Sequence, residues 1–204
     1  MLDRAREECP CSTLLFDAGY GCNRIFLKEL DDRNLKLVGQ LKGDETFWTK
    51  DMKLFSLAKT SKPSRPRKLA KPVDLTAARI SPKSFTEKLF LDPNNILKVQ
   101  INLLIPIAVD IVAKRVLEIK RRPKPHVGPE RWFIGERLKD GTLKYNVSNF
   151  DITAKPEEII KLAHQRWKVE QGYQQLKEEI GLVNILNNSV RFLSLTLTVM
   201  PLKS

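Results

Sequence analysis

Polar and apolar positions alternate along this chain in patterns that predict its elements one by one. "STLLFD", Ser12 to Asp17, is a short apolar run that closes on an acid and predicts a strand. "AGYG" follows and predicts a turn, with Gly19 and Gly21 free to take positive φ. Ile25, Phe26 and Leu30 in "NRIFLKELDDRN" recur at helical spacing, and "LKLVGQL" predicts a second strand. Strand, turn, helix and strand in that order form a βαβ-like unit, which favours a mixed or parallel sheet. The stretch "ILKVQINLLIPIAVDIVAKRVLEIKRRPKP" is compatible with two strands or with a strand and a helix, and Pro106 argues against one continuous element. Asp140-Gly141 between two strand-like runs predicts a hairpin over Arg131 to Asn149. Pro156 then opens a helix of about 25 residues that ends near Gly181.

Charge changes this picture. The 204 residues carry 36 Lys+Arg against 24 Asp+Glu, a net charge of +12. Such a field attracts polyanions, nucleic acid above all. "KTSKPSRPRKLAKP", Lys59 to Pro72, holds six basic residues and no acid. It reads either as a solvated linker or as a strap that contacts phosphates through Lys62, Arg65, Arg67, Lys68 and Lys71. Cys9, Cys11 and Cys22 are odd in number, and His126 and His164 stand apart from them, so the thiols read as reduced and structural rather than as a zinc set. The longest apolar run, Ile101 to Ala113, is shorter than a membrane span and contains Asp110, and no signal peptide opens the chain. A soluble intracellular protein with no membrane partner is expected.

The long helix raises a sharper question. With Tyr173 as reference, Leu162, Val169, Leu176 and Ile180 form its apolar stripe. Arg166, Lys177 and Glu170 fall along one edge of that stripe, within about 60° of its centre. A carboxylate there is costly unless it is paired or bound to a metal. One reading pairs Glu170 with Arg166 at i, i+4 and lets Lys177 snorkel. Tyr173 reads as core.

The order Arg-x3-Glu-x6-Lys on a helix resembles the signature of DDE transposases of bacterial insertion sequences. Four blocks are similar to the insertion-sequence seven-oh-one group of the insertion-sequence four superfamily. They are Asp17 to Gly21 ("DAGYG"), Trp132 to Arg137 ("WFIGER"), Lys144 to Asn149 ("KYNVSN") and Arg166 to Leu182 ("RWKVEQGYQQLKEEIGL"), in the family's order. The resemblance implies an α/β fold, a partial RNase H-like core of mixed sheet and helices interrupted by a β-rich insertion. Residues 1–45 would carry the second catalytic Asp, 46–129 the insertion with its basic strap, 130–182 the returning core with the hairpin and the catalytic-Glu helix, and 183–204 a degenerate tail.

In that family two aspartates and a glutamate hold two divalent ions for in-line attack on a phosphodiester. The resemblance makes Asp17 and Glu170 catalytic and metal-holding residues for Mg²⁺ or Mn²⁺, since these ions prefer hard oxygen ligands. Arg166 and Lys177 would contact the transposon end. It implies DNA with terminal inverted repeats as partner, a homodimer or a mixed oligomer with a full-length transposase, and a bacterial cytoplasmic, nucleoid-associated location. The family's first aspartate has no counterpart before Asp17, where Asp3 stands in a helical context. The expectation is a truncated transposase that is catalytically incomplete alone and binds metal weakly. The rivals are a non-enzymatic DNA-binding regulator, a decayed remnant that folds poorly, and a metal-dependent nuclease built on the same acids.

Overall fold

Thr13–Phe16 is the first strand, β1, and all four of its residues are buried. The computed structural model describes residues 13–50, 54–55, 71–72, 79–103, 106–120 and 126–179. Asp17 ends β1 by capping a single helical turn, α1 (Ala18–Gly21), where its carboxylate accepts the N–H groups of Gly19 and Tyr20. The expected positive-φ turn is therefore a capped helical turn. Among the described glycines only Gly141 has positive φ. Gly21 is needed for a different reason: a Cβ there would stand 2.1 Å from the Gln40 carbonyl oxygen.

Asn23 caps the next helix, α2 (Arg24–Asp32), which buries Leu27 and Leu30. The chain returns as β2 (Lys36–Gln40), parallel to β1 with Leu14 opposite Leu37. This is the βαβ unit read from the sequence. The following stretch is β-rich, as expected. It contains β3 (Phe47–Thr49), a small pair β4 (Leu54–Phe55) and β5 (Lys71–Pro72), β6 (Arg79–Ile80), helix α3 (Pro82–Phe90), β7 (Leu97–Ile101) and β8 (Ile107–Lys120). The ambiguous apolar stretch resolves as two antiparallel strands, β7 and β8, with Pro106 between them. The hairpin expected at Asp140-Gly141 joins β9 (His126–Arg137) to β10 (Leu143–Ser148). Gly141 takes φ +83° in it, and the Asp140 carboxylate accepts the Thr142 N–H. The last described helix is α4 (Pro156–Glu179), which opens on the predicted proline.

One open mixed sheet runs β1-β2-β10-β9-β8-β3-β6, with β7 also on β8. Only β1–β2 is parallel; the other described pairs are antiparallel. The expected boundary between residues 129 and 130 falls inside β9, and strands from both sides of it share the sheet. Side-chain alternation then builds three layers. Leu15, Val38, Val109, Ile111 and Ile134 meet Ile159 and Ile160 of α4. Leu14, Phe16 and Leu37 meet Leu27 and Leu30 of α2. Phe133, Val112 and Val147 meet Phe85 and Leu89 of α3.

A polar network ties α2 to the sheet. Arg131, 1% exposed, donates through Nε to Glu118 on β8 at 2.7 Å and through both terminal nitrogens to Asp31 on α2. Asn149 joins by donating to Asp31 and to the Leu35 carbonyl. Burial alone would lower the Arg131 pKa, but these two carboxylates outweigh it and the guanidinium is held more firmly charged.

Candidate active site beside the parallel pair

The parallel pair and α4 enclose a cavity of about 640 Å³. Leu15, Phe16, Val38 and Gln40 line it from β1 and β2. Lys144 and Asn146 enter from β10, Glu136 from β9, and Ala163, His164, Arg166, Trp167 and Glu170 from α4. Leu103, Ile107 and Leu138 add apolar wall. Asp17 follows directly on Phe16, at the carboxyl end of β1. The carboxyl ends of parallel strands are where open α/β sheets place their ligand sites.

The residues singled out from the sequence have distinct fates. Arg166 and Glu170 line the cavity together, and their ion pair closes at 2.5 Å. The Glu170 side chain is 47% exposed, so the burial cost anticipated for it does not arise, and the i, i+4 pairing supplies its partner. An exposed pair of this kind adds only about 0.3–0.5 kcal/mol to stability. Asp17 spends Oδ1 on the α1 cap, and among the described residues nothing bonds Oδ2. Lys177 lies on α4, two turns beyond Glu170, and its side chain is outside the described residues, as is that of Tyr173. Lys62, Arg65, Arg67 and Lys68 lie outside them altogether, and Lys71 is placed only through its strand pairing with Phe55. Cys9 and Cys11 also lie outside. Cys22 is a free thiol whose pKa is raised by burial, and its Sγ donates to the Ala18 carbonyl, consistent with a structural thiol.

Sequence reasoning passed over one pair in this cavity. His164 Nε2 lies 2.7 Å from Glu136 Oε1, and the Glu136 side chain is 1% exposed. Strand parity carried a signal: Glu136 shares its face of β9 with Ile134, which packs on α4. His164 sits one helical turn after Ile160 on the same helix.

Asp17 and Glu170 supply hard carboxylate oxygens suited to a divalent ion that keeps several waters. Their number is small: no group of three His, Cys, Asp or Glu side chains among the described residues converges to hold a metal. The oxygen chemistry of each acid suits Mg²⁺ or Mn²⁺, but Asp17 is not among the residues that line the cavity with Glu170.

Residues 1–88 match the model of the DDE superfamily endonucleases. The match spans β1, Asp17, α1, α2 and β2 and ends within α3. It supports a DDE transposase-type family, a nuclease or transposase function with DNA as substrate, and the divalent ions such enzymes generally use. The open mixed sheet with helices on both faces is consistent with a DDE nuclease or RNase H-like fold. No curated protein and no solved structure matches the chain. Among the described residues no helix is long and apolar enough to cross a membrane.

Proposed function

We propose that this chain is part of a DDE transposase of an insertion sequence, similar to the seven-oh-one group, in which Asp17 is the second catalytic acid and Glu170 the third. The observation that carries the reading is the family match across the strand that ends in Asp17. The cavity beside it supports the reading, because it brings Arg166 and Glu170 of α4 next to Leu15 and Phe16. Asp17 Oδ2 and the second oxygen of Glu170 would hold the divalent ion, which supplies charge neutralisation and an activated oxygen nucleophile when bound. Arg166 orients Glu170 and stands ready to exchange that partner for a phosphate oxygen. Lys177, Lys62, Arg65, Arg67, Lys68 and Lys71 would extend the contact along the DNA backbone, toward a terminal inverted repeat.

With two acids among the described residues rather than three, the expected behaviour is weak binding of Mg²⁺ or Mn²⁺ and no joining of DNA ends by this polypeptide alone; an additional acid from another transposase chain in a mixed oligomer would complete the set. Incubation of pure protein with a labelled transposon end and either ion tests this. No joined product is expected. Joining that disappears on Glu170→Gln would overturn the claim of incompleteness and leave the transposase assignment standing.

A non-enzymatic DNA-binding regulator is the second reading. The observation favouring it is that both acids already have structural partners, Asp17 in a helix cap and Glu170 in an ion pair. It predicts that Mg²⁺ only weakens DNA binding, as a competing counterion, and does so equally in Glu170→Gln, whereas the transposase reading predicts a Mg²⁺ contribution that Glu170→Gln removes.

A further inference from the structure

The Glu136–His164 pair has no part in the reading above. A buried carboxylate is an expensive way to fasten a helix to a sheet. The same two elements are already fastened by Ile134 against Ile159 and Ile160. The polar pair is placed where the apolar contacts give way to the cavity, and both its members line that cavity. In its ion-paired form both ring nitrogens carry protons: Nε2–H donates to Glu136, and Nδ1–H remains as a donor. Among the described residues nothing accepts from Nδ1.

Lys144 and Arg166 border the same space. They bring two positive charges against the two of Glu136 and Glu170. Each carboxylate is matched at short range, Glu136 by His164 and Glu170 by Arg166. Among the described residues no carboxylate pairs with Lys144, so the cavity keeps one cation to spare beside an apolar body formed by Leu138, Ile107 and Trp167. An anionic group attached to a flat, largely apolar one satisfies both features.

We infer that His164, held in place by Glu136, is a phosphate-contacting residue, its Nδ1–H donating to a phosphodiester oxygen of a nucleic-acid strand seated against Arg166 and Lys144. The inference rests on the DNA reading given above and adds a contact that the Arg, Glu and Lys of α4 do not provide. Glu136 is then a positioning residue that fixes the ring and its protons.

The chain has two histidines, so His126→Asn leaves His164 as the sole imidazole. Nitrogen-15 NMR of that variant is recorded while a single-stranded thymidine hexanucleotide is added without metal, and fluorescence anisotropy of the same labelled oligonucleotide gives the binding curve. Expected is a saturable shift of the Nδ1 resonance that tracks the anisotropy curve. Glu136→Gln should weaken binding about tenfold, the value of one charge-assisted hydrogen bond. Binding that Arg166→Ala weakens while Nδ1 stays unmoved would overturn the phosphate contact and spare the DNA reading. Absence of binding even at low salt would remove both. The titration of the His126→Asn protein decides the matter whether or not the Glu136 variant folds.

Discussion

At the scale of single residues, spacing decided what the sequence could disclose. The Arg166–Glu170 pair was visible because four residues on a helix are one turn. Glu136 and His164 lie 28 residues apart, and Arg131 and Asp31 lie 100 apart, so no local pattern announces either contact. Arg131 is also the residue on which the fold depends most visibly. Its loss leaves Glu118, 6% exposed, facing among the described residues only the more distant guanidinium of Arg24 at 3.7 Å. Arg131→Met is expected to cost about 3–5 kcal/mol, the usual penalty for stranding a buried charge, read as a lower urea midpoint with unchanged slope. The Glu130 carboxylate is held below its ordinary pKa, first by the hydrogen bond from Arg115 and also by Lys50, with partial burial opposing. A depressed carboxylate stabilises fully above its unfolded pKa and loses that contribution as pH falls through the lower folded value. Stability measured from about pH 5 downward should therefore decline less steeply in Arg115→Gln than in the parent protein.

Elements were legible wherever a hydrophobic period met a punctuating residue. Asp17 after TLLF, Asn23 before RIFL, Asp140-Gly141 and Pro156 each mark a boundary that the fold respects. Helix α3 was not read, although Ser81 caps it and Pro82 opens it, because its nine residues lie next to an apolar stretch of ambiguous period. The pairing of β3 with β8 was equally hidden, since strand pairing across many residues leaves no local trace. Of the cavity lining, the Arg166–Glu170 pair could be read; the β9–β10 hairpin was legible too, but its placement beside β2 and α4, which carries Glu136 and Lys144 to the cavity, was not, because that pairing is long-range. Close packing between elements supplies another prediction. A Cβ on Gly39 would lie 1.7 Å from the Phe16 ring, between the two parallel strands that flank the cavity. Gly39→Ala should destabilise by about 1–3 kcal/mol through overpacking, measured by thermal denaturation. Gly141, with φ +83° and open space around it, should respond to alanine with a backbone penalty alone, about 1 kcal/mol.

For the molecule as a whole, a net charge of +12 leads to a general expectation about DNA. Phosphate-driven binding releases counterions, so the logarithm of affinity should fall linearly with the logarithm of salt concentration. Anisotropy titrations of duplex DNA at several salt concentrations check this; a flat dependence would mean that the charge serves something other than a nucleic-acid backbone. The sheet carries a consequence of another kind. Among the described residues β1 has a neighbour on one side only, β2, although all four of its side chains are buried. In a parallel pair alternate residues direct their amides toward the partner strand and the others away from it. Amide hydrogen exchange over Thr13–Phe16 should then alternate, slow for the hydrogens bonded to β2 and fast for those between them. Uniformly slow exchange would instead record a further strand lying along β1, and the loss of that uniformity on dilution would identify the strand as another molecule's.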